Sequence, residues 1–75
     1  MKSYINSESG VVEYEYGSDW IHVRFKYGGL YEYKSPSIEI NHIDTMKQLA
    51  DSQDGLGTYI NTNREEVYSK GVKIS

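Results

Sequence analysis

Trp20, His22, Arg24 and Lys26 alternate along one short stretch of this 75-residue chain, and Lys34 follows shortly after. Alternate residues of an extended strand share a face, so the first four read as one surface. An aromatic ring beside cations is what single-stranded nucleic acid binds, through base stacking and phosphate contact. The competing reading is that Glu13, Glu15 and Glu32 neutralise these cations in cross-strand pairs, and the strand register favours it. His22 and His42 lack the HExxH or CxxC spacing of a recognisable metal site, and the chain has no cysteine. No spacing assembles a nucleophile, an acid–base pair or a metal set, so no catalytic residue, metal or cofactor is expected. Glu65 with Glu66, and Asp51 with Asp54, read as solvated helix ends and loop charges. Gly28-Gly29 reads as a turn, because no Lys followed by Ser or Thr accompanies it as a phosphate cradle requires.

The elements that must position these residues are bounded by size. A chain of 75 residues builds one core, and such domains bury only roughly 60% of their unfolded surface. One core of this size supplies about 3–5 kcal/mol. Without cysteine no disulfide supplements it, and a reducing compartment suits the chain. Eight tyrosines argue for a folded, tyrosine-rich interior rather than disorder. The N-terminal MKSYINSESG has no apolar signal region, and no window approaches the ~20 apolar residues of a membrane span, so a soluble, cytoplasmic protein is expected. A net charge of −3 and a pI near 5.2 disfavour tight nonspecific nucleic-acid binding.

Residues 1 to 10 are polar and read as irregular, with Tyr4 and Ile5 as anchors. Val11 to Tyr16 alternates as a half-buried strand, Val12, Tyr14 and Tyr16 on one side and Val11, Glu13 and Glu15 on the other. From Trp20 the alternation resumes, with Ile21, Val23, Phe25 and Tyr27 on the core face. A two-residue connection, Ser18 and Asp19, sets Tyr16 against Ile21, Tyr14 against Val23 and Val12 against Phe25; outside, Glu15 meets His22 and Glu13 meets Arg24. A three-residue loop of Gly28, Gly29 and Leu30 then pairs Tyr27 with Tyr31, Phe25 with Tyr33 and Lys26 with Glu32.

Pro36 ends the third strand and suits the first turn of a helix capped by Ser35 or Ser37. Ile40, Ile43, Met46 or Lys47, Leu49 and Ala50 form a helical stripe running to about Ser52. Gln53 to Gly57 is a loop. A second, shorter helix from Thr58 to about Tyr68 is expected to bury Tyr59, Ile60, Val67 and Tyr68. Val72 and Ile74 alternate in a tail that either frays or adds an edge strand. The fold class is α+β: a three-stranded antiparallel meander, covered on one face by a longer helix and a short C-terminal one, in a single domain with its core at about 7–68.

The succession Ile21-x-Val23-x-Phe25, Gly28-Gly29, Tyr31-x-Tyr33, Pro36, Ala50-x-Ser52 and Gly57-x-Tyr59-Ile60-Asn61 resembles the KTSC domain. That short bacterial domain is named for its occurrence at the C-terminus of some lysyl-tRNA synthetases, and it also occurs alone. The resemblance spans roughly Ser7 to Tyr68, with Tyr31-Glu32-Tyr33 as its YxY motif. One departure is QDGL between Ser52 and Gly57, where the family usually has a single residue. The resemblance implies the fold, and its synthetase context suggests RNA contact.

Tyr31 and Tyr33 read as core through their pairing with Tyr27 and Phe25, rather than as a stacking platform. Two functions therefore stand as expectations. One is a non-enzymatic module contacting tRNA-like or single-stranded RNA through Trp20, His22, Arg24, Lys26 and Lys34. The alternative is a protein-interaction module that accepts another strand at a sheet edge near Trp20.

Overall fold

The computed structural model describes residues 1–5 and 10–75. The irregular path expected for residues 6–9, and a core beginning near Ser7, lie outside the described residues. The fold is α+β, with five antiparallel strands in one sheet and two helices among the described residues. The strands are β1 (Lys2–Ser3), β2 (Val11–Tyr16), β3 (Trp20–Phe25), β4 (Gly29–Lys34) and β5 (Val72–Lys73), in that spatial order. Helix α1 spans Ile40–Asp51 and α2 spans Leu56–Thr62. The expected meander is its centre, and a two-residue strand lies on each side of it. Among the described residues no helix is long and apolar enough to cross a membrane.

The first hairpin follows the alternation. Ser18 and Asp19 form the turn, Tyr16 faces Ile21, Tyr14 faces Val23, and Glu13 and Glu15 face Arg24 and His22. The expected partnership of Val12 with Phe25 is corrected: Val11 faces Phe25, and the register shifts between Val11 and Glu13. This is a bulge at Val12, where one extra residue turns the strand so that Val11 enters the core.

The second hairpin has the expected loop length at a different place. Lys26, Tyr27 and Gly28 form the loop and Phe25 faces Gly29, so Tyr33 lies opposite Ile21 and Tyr31 opposite Val23. Tyr27 is 92% exposed rather than on the core face. Lys26 does not meet Glu32, which faces His22 instead. Two physical reasons decide this. The expected register carries Pro36 into the ladder opposite His22, where it has no N–H to donate. Gly29 also takes φ +90, and a Cβ there would lie 2.5 Å from the carbonyl oxygen of Ser75.

After β4 the chain turns through a cis Ser35–Pro36 bond and tucks Ile38 into the core. The helix therefore begins at Ile40 after Glu39, not at Pro36, and neither Ser35 nor Ser37 caps it. Ile43, Met46 and Ala50 bury the stripe, with Leu49 packed beside them, whereas Ile40 is exposed. Gln53 at φ 62 and Gly55 at φ 83 turn the chain into α2. That helix starts two residues before the expected Thr58 and stops well before Tyr68. Asn63 ends it, its side-chain amide donating to the Tyr59 carbonyl at 2.8 Å. Val67 still reaches the core, but Tyr68 begins a separate 3₁₀ turn and is 55% exposed.

The N-terminal segment is more ordered than its polarity suggests. Lys2–Ser3 pairs with β2, and Tyr4 is buried edge-on to Tyr14. The Tyr4 hydroxyl accepts the Leu56 amide at 3.2 Å. Tyr14 and Tyr16 donate their hydroxyls to the two oxygens of Asp51, at 2.8 and 2.6 Å. These bonds hold the Asp51 carboxyl below its ordinary range, with Tyr16 the larger influence. Burial, followed by Asp51, pushes the Tyr14 hydroxyl up to about 12. The sheet edge and the end of α1 are thereby fastened together. On the other edge, β5 pairs with β4, so the tail adds the edge strand that the alternation of Val72 and Ile74 allows.

Candidate functional site

The helices cover one face of the sheet, and Trp20, His22 and Arg24 lie on the other. Their positions follow from strand parity, since Trp20 faces Lys34, His22 faces Glu32 and Arg24 faces Leu30. Four of the five sequence-predicted residues are therefore brought onto the outer face. Lys26 is not, because the loop begins at that residue.

The outer face is largely neutralised internally. His22 Nε2–H donates to Glu32 at 2.9 Å, and its Nδ1 lies 3.9 Å from Glu15. Arg24 Nε is 3.4 Å from Glu13. The Trp20 indole packs tilted against the His22 ring at 4.3 Å and covers Gly17 so closely that a Cβ there would collide with it. Only glycine at position 17 leaves room for the ring. Among the described residues Lys34 has no ion-pair partner, and it lies beside a hollow shared with Lys70. The outer face can thus offer one held indole and one or two free ammonium groups.

A second surface lies on the helix side, at the end of the sheet that holds the Lys26–Gly28 loop. There a cleft of about 360 Å³ is lined by Phe25, Tyr31 and Tyr33 from the strands, Lys26 and Tyr27 from the loop, Asn61 from α2, and Tyr68. Strand pleating accounts for its wall: Phe25, Tyr31 and Tyr33 share the inward face of neighbouring strands. Phe25 meets Tyr31 edge-on at 5.8 Å, and Tyr31 stacks on Tyr33 at 6.5 Å. Tyr33 is 2% exposed and forms part of the core, whereas Tyr31 is half-buried. Burial, with Tyr31 and Tyr68 nearby, raises the Tyr33 hydroxyl well above its ordinary value, so this ring is neutral at physiological pH.

Cations lie against the exposed rings of this cleft. The Lys26 ammonium sits 5.4 Å from the Tyr27 ring centre, and the Arg64 guanidinium 5.9 Å from that of Tyr68. Among the described residues no carboxylate lines the cleft. Beside the Lys26 ammonium and the tyrosine hydroxyls, the lining carries the Asn61 side-chain amide, which has no hydrogen-bond partner among the described residues. Sequence reasoning missed Tyr27, Asn61, Arg64 and Tyr68 as a group. The available signal was the loop itself, where a tyrosine beside a lysine precedes two glycines.

His42 is part of a third cluster. Its Nδ1 lies 2.5 Å from the Tyr59 hydroxyl and its Nε2 3.4 Å from Glu66. A neutral imidazole satisfies both, accepting from Tyr59 and donating to Glu66. These residues join α1, α2 and the turn that follows, and none of them lines the cleft. The cluster reads as a clamp between elements.

No family model matches the chain, and neither a curated protein nor a solved structure matches it.

Proposed function

We propose that the chain is a non-enzymatic binding module of the KTSC type, and that it contacts single-stranded RNA through the aromatic cleft rather than the outer sheet face. The observation that carries this reading is the cleft's pairing of exposed tyrosines with cations that no carboxylate holds among the described residues: Tyr27 with Lys26, and Tyr68 with Arg64. Stacking on such rings is sequence-tolerant, and adjacent cations take the phosphates. The outer face supplies the same residue types, but Glu13, Glu15 and Glu32 already occupy Arg24 and His22. Support for the family is the ordered residue set, and its synthetase context supports RNA by analogy alone.

A protein partner added at a sheet edge is the less favoured reading. Both outermost strands are two residues long, and each carries a lysine that blunts pairing. With a net charge of −3 there is no long-range attraction to RNA, so binding is local and weak.

The test is a fluorescence-anisotropy titration with oligo(U) and with tRNA at low salt. If Lys26 and Arg64 each engage a phosphate, the logarithmic salt slope is about −1.4. Absence of binding at high micromolar protein sinks the reading.

A further inference from the structure

We infer that the cleft is a single-base subsite in which Asn61 reads the edge of an unpaired base. This deepens the RNA reading and rests on it. The cleft's volume of about 360 Å³ lies at the small end of ligand pockets, which suits one nucleotide rather than an extended ligand.

Its walls present flat rings from three directions: Phe25 and Tyr31 from the sheet, Tyr27 from the loop and Tyr68 from the 3₁₀ turn. A base resting on these rings brings its edge toward α2, which carries the side-chain amide among the cleft's described lining residues. Asn61 is exposed and its amide is uncommitted among the described residues. An amide offers a donor and an acceptor side by side, the pattern that pairs with a base edge. The phosphate of the same nucleotide then faces Lys26, whose ammonium is the charged group among the cleft's described lining residues. Tyr33 closes the inner end as a buried, neutral ring.

Stacking alone treats the four bases similarly, whereas an amide pairing at the edge does not. A base preference that depends on one side chain therefore distinguishes this arrangement from a simple stacking platform. Asn61→Ala is a suitable variant, because the residue lies on the exposed face of α2 and alanine favours helix.

The experiment titrates the four nucleoside 5′-monophosphates into the isotopically labelled protein, followed by amide shifts, alongside homopolymer oligonucleotides. Shifts are expected at Gly28, Tyr31, Asn61 and Tyr68, with about a tenfold spread in affinity between the best and worst base. Asn61→Ala narrows that spread to under about threefold while oligonucleotide binding persists. Trp20→Ala leaves the mononucleotide shifts unchanged. Two outcomes overturn the inference while leaving RNA binding intact: oligonucleotides bind but mononucleotides shift none of the cleft amides, or Asn61→Ala preserves the preference. If oligonucleotides do not bind at all, the underlying RNA reading fails with it.

Discussion

The two sides of this sheet make similar use of aromatic and cationic residues and reach opposite results. On the outer side, Trp20 is packed against His22 and over Gly17, and His22 and Arg24 lie beside carboxylates one strand away. On the helix side, Tyr27 and Tyr68 project from turns, and the cations nearest them rest on rings. The difference follows from local geometry. A strand residue is held opposite a cross-strand neighbour, which on this sheet is often glutamate, whereas a turn residue has no such neighbour to neutralise it. Residue type therefore says less about availability than the element that carries it.

The comparison breaks most readily at the base of the cleft. Tyr33→Ala should destabilise the protein by about 3 kcal/mol or more, since a buried ring is removed. In a domain with so small a core that loss amounts to unfolding. A urea midpoint close to that of the parent would show that Tyr33 is not part of the core and that the cleft has no fixed inner wall.

A smaller effect compares the two surfaces directly. Tyr27→Ala should weaken oligonucleotide binding by about 1–3 kcal/mol, the range for loss of one stacked base. Because Tyr27 is almost fully exposed, its removal should shift stability by no more than about 0.5 kcal/mol. Trp20→Ala should leave affinity unchanged. If the two variants behave the other way round, the outer face is the binding surface.

Below this lies the fastening of the sheet edge. Tyr14→Phe should cost about 1–2 kcal/mol at pH 7 through its lost bond to Asp51. The Tyr14 hydroxyl is raised to about 12 in the folded protein, against about 10 when unfolded. Its contribution is therefore whole below about pH 10 and lost as pH climbs from about 10 to about 12. Urea midpoints at pH 7 and pH 11 should show the gap between parent and variant narrowing at the higher pH. The least effect belongs to the exposed Arg24–Glu13 pair, where Glu13→Gln should change stability by about 0–1 kcal/mol.

The sequence made the first hairpin legible because strict alternation and an even turn leave one register that keeps the glutamates outside. It hid the bulge, since Val11 and Val12 are equally apolar and either satisfies the core. The helical stripe located α1, but the turn through Ser35 and Pro36 delayed its start, and Asn63 ended α2 through a side-chain bond that periodicity does not register. Four of the candidate site residues share a face as their parity requires. The cleft was not legible, because it forms only when the Lys26–Gly28 loop, α2 and the turn at Tyr68 meet in space.

The strand order has a consequence for how the chain assembles and opens. The three central strands are neighbours in sequence, joined by short turns, so their contacts close small loops. The flanking strands share this economy only in part. The N-terminal segment pairs with nearby β2, as from the Tyr4 amide to Val12, but its Ile5 amide bonds Gln53, 48 residues away, and β5 returns to β4 only after both helices. Distant closures form late and carry fewer bonds. In native-state hydrogen exchange the amides of Ile5 and Ile74 should exchange through local opening, well before those of Ile21 and Val23. The sheet would then lose its margins while its centre remains intact.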